Sequence, residues 1–252
     1  MTDQIVRTAP PVEPLRILAP APTAPITARR IHQVIGAAFA VIVVGALWTL
    51  VADMQLGLGD TLTGRASRRM FSLRKEGGFP AALSFLLLLG AAGSLWFATW
   101  ASDEGSALAR YRPRWRLLAL VLVTAGFDEA FAFHERLNVP VREALGVSGV
   151  FMFAWIIPYS IGALALAVAM IAPLRALPRR ALLFMLAGGF CYVTGAVGME
   201  MLGGQLKSAG VPRYVYEAEV FVEEVLEMAG VWLFIAGALA LARGRDLRLA
   251  VR

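Results

Sequence analysis

The chain has 252 residues, of which 58% are hydrophobic and only 17% are charged. Soluble domains carry about 25% charged residues and about 45–50% apolar ones, so this composition excludes an ordinary soluble protein. The net charge of +6 comes from basic residues that lie between apolar blocks, where they set the topology of a membrane protein. We therefore expect the lipid bilayer as a partner, and no nucleic acid.

Six apolar blocks that are nearly free of charge follow one another after residue 30. A bilayer core takes about 20 apolar residues per helix, and the blocks reach about that length once their flanks are added. The sequence predicts an all-α membrane protein in which residues 31–243 form six transmembrane helices. The expected spans are 32–53, 79–101, 115–136, 150–172, 181–203 and 217–242.

Both chain ends are expected in the cytoplasm. Residues 1–30 hold six of the thirteen prolines and no helical periodicity, which predicts a disordered tail, and residues 244–252 predict a short basic tail. With this topology 15 basic residues lie on the cytoplasmic side and nine on the outer side. An excess of Lys and Arg inside is the rule for multi-pass proteins, so we expect a protein of the bacterial cytoplasmic (inner) membrane.

Two features are expected at the membrane interface. Between the first two spans, Arg65, Arg68 and Arg69 recur at the three- and four-residue intervals of one helix face. This pattern is typical of a short interfacial amphipathic helix, with a plain solvated loop as the alternative. Five tryptophans near predicted span ends resemble the aromatic belts of membrane proteins: Trp48, Trp96, Trp100, Trp115 and Trp155.

The fifth predicted span is rich in small residues. Ala187, Cys191 and Gly195 recur at four-residue intervals, which lets two helix backbones approach closely in a membrane. We expect this face to pack against another helix. Cys191 is the only cysteine, so the chain cannot form an internal disulfide or a cysteine-based zinc site.

Acidic residues enter the third, fifth and sixth predicted spans, all in the half of the membrane that the topology places outside. Ionisable side chains inside a span are costly and indicate a functional site. They predict one polar site shared by three helices, whose side chains would bind a cation. Its members are Asp128, His134, Glu200, Glu223, Glu224 and Glu227, with Glu129 and Glu135 as further candidates.

Helical geometry orders these residues. In a continuous third helix Asp128 and Glu135 lie about 20° apart on one face, two turns apart along it. Glu227 lies about 15 Å from the expected start of the sixth helix, near the middle of the membrane. Glu217 and Glu219 fall in that helix's first turn, where the helix dipole favours anions, so we attribute them to the helix terminus.

Several carboxylates that share a low-dielectric site need compensating positive charge. Protons would indicate a proton relay or a proton-coupled transporter. A divalent metal ion, bound by carboxylate oxygens and one imidazole, is the second alternative. Arginines from the loop that follows the first span would leave the acids with a structural role only.

The leading hypothesis is an outward-facing cation-binding site that serves divalent-metal or proton-coupled transport. The alternative is a membrane metalloenzyme acting on a lipid or another apolar substrate, in which a carboxylate or His134 acts as the base. The third hypothesis is a non-catalytic membrane subunit or assembly factor. The sequence carries no nucleotide or haem signature, it assigns no catalytic residue, and it leaves the oligomeric state open.

Three segments resemble a group of uncharacterised bacterial six-span membrane proteins. They are FSLRKEGGFPAALS at Phe71–Ser84, the Asp-Glu and His-Glu pairs that begin at Asp128 and His134, and the Glu-Glu-x-x-Glu sequence that begins at Glu223. The resemblance covers most of residues 31–243 and implies the six-helix fold and the acid cluster, with no activity attached. Members of the group carry Asp-Gly-Glu near the position of Arg74-Lys75-Glu76. Because this loop is basic here, the resemblance implies no role for it.

Overall fold

The computed structural model describes residues 27–54, 56, 61–74 and 77–242. Most of the predicted N-terminal tail and the whole predicted C-terminal tail lie outside the described residues. The described elements are helical: α1 (Ala28–Met54), α2 (Leu62–Phe71), α3 (Phe79–Trp100), α4 (Ala107–Arg110), α5 (Arg112–Phe131), α6 (Phe133–Leu145), α7 (Ile156–Arg175), α8 (Arg179–Val193), α9 (Glu200–Ser208) and α10 (Arg213–Ala242). A 3₁₀ turn forms at Gly149–Phe151, and a π-helical segment at Thr194–Met199 joins α8 to α9.

Five helical segments are long and apolar enough to cross a membrane, and a sixth is obtained if the bent pair α5 and α6 counts as one span. α8, the π-helical segment and α9 together form one of the five. The described residues confirm an all-α fold with the long apolar helices of a multi-pass membrane protein, and the number of six spans stays a prediction. The cytoplasmic placement of both termini stays a prediction.

The outer surface of the bundle is apolar, as a bilayer requires. Large apolar side chains that would be costly in water lie exposed along the spanning helices. Because lipid tails solvate such side chains, this surface is what a membrane-embedded bundle presents. Exposed examples are Val34 and Val44 on α1, Leu86 on α3, Leu120 on α5, Ile161, Leu164 and Val168 on α7, and Phe190 on α8.

α10 occupies the centre of the bundle and packs against α8, α3 and α1. Around its middle lies a core that contains Leu88, Ala91, Met228 and Val231. A second core, around the fully buried Trp115, fills the bundle end where α5 and α8 begin. The opposite end, where α5 terminates and α10 begins, holds the acidic side chains.

α8 and α10 make their closest approach at glycines. A Cβ on Gly188 would lie 2.6 Å from the Gly230 carbonyl oxygen, and one on Gly195 would lie 2.7 Å from Cγ of Glu227. The contact residues therefore recur at seven-residue spacing. Of the predicted four-residue stripe only Gly195 is buried, whereas Cys191 is half-buried and Ala187 is exposed.

The third predicted span does not continue as one helix through residue 136. Ala132 adopts left-handed backbone angles, φ 49° and ψ 48°, and α6 leaves α5 at 85°. Left-handed backbone costs an alanine about 1–2 kcal/mol, and the polar side chain of Asp128 offsets this cost by bonding the first turn of α6. The predicted alignment of Asp128 with Glu135 on one helix face is therefore wrong.

The arginine-rich loop forms a helix, α2, rather than a plain loop. Thr61 caps its N-terminus by accepting a hydrogen bond from the Gly64 N–H at 3.1 Å. The Ser67 hydroxyl hydrogen-bonds that of Thr49 at 2.5 Å, which ties α2 to α1. These contacts hold α2 across the polar end of the bundle, where an interfacial helix would lie.

A carboxyl-rich site at one end of the bundle

The break between α5 and α6 places Asp128 against His134. The His134 backbone N–H donates a 2.8 Å hydrogen bond to Oδ1 of Asp128, and Nδ1 of the imidazole lies 3.1 Å from Oδ2. One carboxylate therefore both caps the new helix and orients the imidazole. The Tyr159 side chain, on α7, lies close to the same carboxylate.

Trp155 connects this pair to Glu200. Its ring lies 4.8 Å from that of His134, centroid to centroid, and its indole N–H donates a 3.2 Å hydrogen bond to Oε1 of Glu200. Its backbone N–H also bonds the Asn138 side chain on α6, at 3.3 Å. These bonds hold the start of α7 between α6 and α9, so the aromatic ring links the Asp128–His134 pair to Glu200.

Glu200 lies at the junction of the carboxyl groups. It begins α9 directly after the π-helical segment, and π-helical turns are frequent at functional sites. The extra residue in such a turn changes which side chains face the bundle interior. The groups that interact electrostatically with Glu200 are His134, Glu219, Glu223, Glu224 and Glu227.

The carboxyl groups on α10 fall into two groups that differ in their neighbours. Glu219 and Glu223 lie beside Glu200, whereas Glu224 and Glu227 lie beside Glu129 of α5. At 1.5 Å per helical residue, the level of Glu227 is about 12 Å deeper than that of Glu219. The partly buried side chain of Tyr192 on α8 has four of the acids as electrostatic neighbours.

Glu219 belongs to this site and is not a terminal residue of its helix. α10 begins at Arg213, so Glu219 lies in the second turn, only 5% exposed and packed against Gly203 of α9. Neither of its carboxyl oxygens has a hydrogen-bond partner among the described residues. Sequence reasoning missed this residue because it placed the helix start at residue 217.

Glu217 and Glu135 lie outside the site. Glu217 accepts hydrogen bonds through Oε1 from Arg74, at 3.0 Å, and from Arg213, at 3.2 Å. Glu135 is exposed on α6. Of the two further candidates Glu129 therefore joins the cluster and Glu135 does not, since the change of direction at Ala132 turns Glu135 away.

Two of the predicted belt tryptophans serve the interior instead. Trp48, Trp96 and Trp100 are exposed, as an aromatic belt requires, but Trp115 is fully buried and Trp155 is 7% exposed. The indole N–H of Trp115 has no hydrogen-bond partner among the described residues, whereas that of Trp155 donates to a polar partner. That partner, Glu200, lies on a distant segment of the chain, so the sequence offered no signal for it.

In the part of the chain that the structure describes, no three His, Cys, Asp or Glu side chains are arranged as a metal-binding group. The one imidazole at the site already bonds Asp128. The remaining groups are carboxyls beside carboxyls, an arrangement that can share protons or hold a cation between oxygens. The divalent metal ion considered from the sequence stays a prediction.

Comparison with known proteins gives a family for the chain and no activity. No curated protein and no solved structure shows a significant match. A family model described as a domain of unknown function, DUF8692, matches residues 34–242, a range that includes every member of the carboxyl-rich site. The chain belongs to this DUF8692 family.

Proposed function

We propose that the carboxyl-rich site binds cations, protons above all, and that it serves ion-coupled transport across the membrane. The observation that carries this proposal is Glu219, whose two carboxyl oxygens are buried without a partner beside Glu200 and Glu223. An unpaired buried carboxylate is far too costly to persist without a compensating positive charge. A bound proton or another cation supplies that charge.

Among the described residues, the arginines at the mouth of the site bond a carboxylate outside the cluster. Arg74 and Arg213 both bond Glu217, at the mouth of the site and outside the carboxyl cluster. The main electrostatic neighbours of Glu223, Glu224 and Glu227 are other carboxyl groups. This leaves the cation to come from solution.

The cluster reaches only part of the way through the bundle. Its deepest member on α10, Glu227, is an electrostatic neighbour of Tyr192, and the apolar core around Trp115 fills the other end of the bundle. A transporter with this arrangement exposes its site to one side at a time and needs a conformational change to reach the other. The π-helical segment Thr194–Met199, which contacts Glu227 through Gly195, is the element suited to such a change.

The alternative of a membrane enzyme rests on the Asp128–His134 hydrogen bond. A carboxylate that orients an imidazole is the arrangement that general-base catalysis uses. In an enzyme this pair would act on a lipid or another apolar substrate that enters from the bilayer. Metal bound at the neighbouring carboxyl groups would favour this alternative over proton-coupled transport.

The test compares two double variants of the purified protein. Glu227→Gln/His134→Ala removes members of the site, and Glu135→Gln/Glu143→Gln removes two exposed carboxylates from α6 as the matched control. Each protein is reconstituted in liposomes that enclose a pH-sensitive dye, and proton entry is followed after an external acid pulse. Proton binding is measured in parallel by infrared spectroscopy of protonated carboxyl groups.

We expect the parent and the control pair to show the protonated-carboxyl bands and proton entry, and the site pair to lose both. Equal behaviour of all three proteins would overturn the proposal. Elemental mass spectrometry on the same samples distinguishes the alternative. If the protein contains stoichiometric metal that only the site pair loses, the bound cation is a metal ion and not a proton. That result would favour the metalloenzyme.

A further inference from the structure

A cavity of about 330 Å³ lies beside the carboxyl-rich site, between α1, α2 and the start of α10. Its size falls in the range of ligand pockets in proteins, which is about 300–1,000 Å³. Two kinds of surface line it. Leu50, Val220 and Phe221 provide an apolar wall on the spanning helices, while Arg68, Arg74 and Arg213 provide cationic groups at the membrane interface.

The two surfaces match the two parts of a lipid. An arginine guanidinium donates paired hydrogen bonds to phosphate oxygens, and an apolar wall that continues into the membrane receives an acyl chain. We propose that this cavity binds an anionic phospholipid, with its headgroup phosphate on Arg74 and Arg213 and its acyl chain along Leu50 and Phe221. This site is separate from the carboxyl cluster and does not depend on the proposed transport function.

The arginines are held in place before any lipid arrives. Arg74 lies with its guanidinium carbon 5.3 Å from the centre of the Tyr216 ring and bonds Glu217, which Arg213 also bonds. Among the described residues that line the cavity, Glu217 is the acidic one and lies beside three arginines. A phosphate that reaches this site meets oriented donors, and Glu217 is the anion with which it competes.

The floor under the headgroup site is rigid as well. Phe71, at the end of α2, packs so closely on α1 that a Cβ on Gly45 would overlap its ring. Together with the Thr49–Ser67 hydrogen bond this contact fixes α2 and the segment that carries Arg74. A preformed cavity with fixed donors loses little conformational entropy on binding.

The test measures lipid binding to the whole purified chain in a nonionic detergent. The probes are short-chain phosphatidylglycerol, phosphatidylcholine with the same acyl chains, and inorganic phosphate. The cavity variant is Arg74→Gln/Arg213→Gln, and its matched control is Arg65→Gln/Arg69→Gln, which removes two arginines of α2 that do not line the cavity. A third variant, Glu217→Gln, removes the competing anion.

We expect saturable binding of phosphatidylglycerol that is about tenfold weaker, or more, in the cavity variant and unchanged in the control. Glu217→Gln should bind phosphatidylglycerol several-fold more tightly. This measurement tests the proposal even if the cavity variant does not fold. Equal affinity for phosphatidylcholine, or equal loss in the control, would overturn the proposal. Binding of inorganic phosphate as tight as that of the lipid would also overturn it, because free phosphate would then be the ligand.

Discussion

The carboxylate of Asp128 bonds His134 twice, through the backbone N–H at 2.8 Å and through the imidazole Nδ1 at 3.1 Å. The same residue therefore terminates one helix, starts the next and orients the only imidazole of the polar site. The left-handed conformation of Ala132 between them is what allows both bonds. Local structure and site chemistry are coupled through this one side chain.

Replacing Asp128 should loosen α6. Asp128→Ala leaves the His134 N–H without its acceptor, and the loss of a helix cap of this kind costs about 1–2 kcal/mol. His134→Ala keeps the backbone bond and loses only the imidazole contact, so it should cost less. Hydrogen exchange of residues 133–145 measures the difference. Equal protection of α6 in the two variants would show that the carboxylate does not cap it.

Two adjacent glycines should respond in opposite directions to a methyl group. A Cβ on Gly188 would lie 2.6 Å from the Gly230 carbonyl oxygen, whereas a Cβ on Gly189 meets nothing within 4 Å. Gly188→Ala should lower the free energy of unfolding by about 1–3 kcal/mol, the usual cost of overpacking. Gly189→Ala should leave it unchanged or raise it by up to about 1 kcal/mol, because alanine is the better helix former.

Thermal unfolding of both glycine variants in detergent checks this prediction. Each substitution adds the same single methyl group to the same helix, so Gly189→Ala is the control for Gly188→Ala. Similar shifts in the two variants would mean that α8 and α10 are not in close contact at this level.

Substitutions of two glutamates of α10 should change the stability of the protein in opposite directions. Glu219→Gln replaces a buried carboxyl group, which needs a bound proton or another cation to stay buried, by an uncharged amide. We expect it to raise the free energy of unfolding by about 1–3 kcal/mol in metal-free buffer. Glu217→Gln removes the ion pairs with two partly exposed arginines and should lower it by less than about 1 kcal/mol. Unfolding at neutral pH, measured for both variants, gives the comparison. A loss of stability on Glu219→Gln would reveal a partner for that carboxylate.

The predicted topology can be tested with single cysteines in a Cys191→Ser background. Glu104→Cys lies in the segment between α3 and α5, and Ala209→Cys lies between α9 and α10, and both positions are exposed. With both termini in the cytoplasm, a membrane-impermeant maleimide added to intact cells should label Ala209→Cys and spare Glu104→Cys. The reverse pattern would invert the bundle, and labelling of both after lysis is the control.

The third predicted span shows which features a local sequence pattern can predict and which it cannot. Its apolar residues identified a membrane segment, and its acids identified Asp128 and His134 as members of a polar site. On a continuous helix Asp128 and Glu135 would share one face. This prediction was wrong because the chain bends by 85° at Ala132. The residue at the bend, Ala132, does not predict it, since alanine is a strong helix former.

The sequence alone determined the class of protein, the apolar segments and most of the acidic residues of the site, because hydropathy and the cost of buried charge are properties of single segments. Only the tertiary structure decided which acids meet, since this depends on packing between distant helices. It brought Glu129 and Glu219 to the site, left Glu135 outside and directed Trp155 onto Glu200. The cavity under α2 likewise exists only because three separated segments come together there.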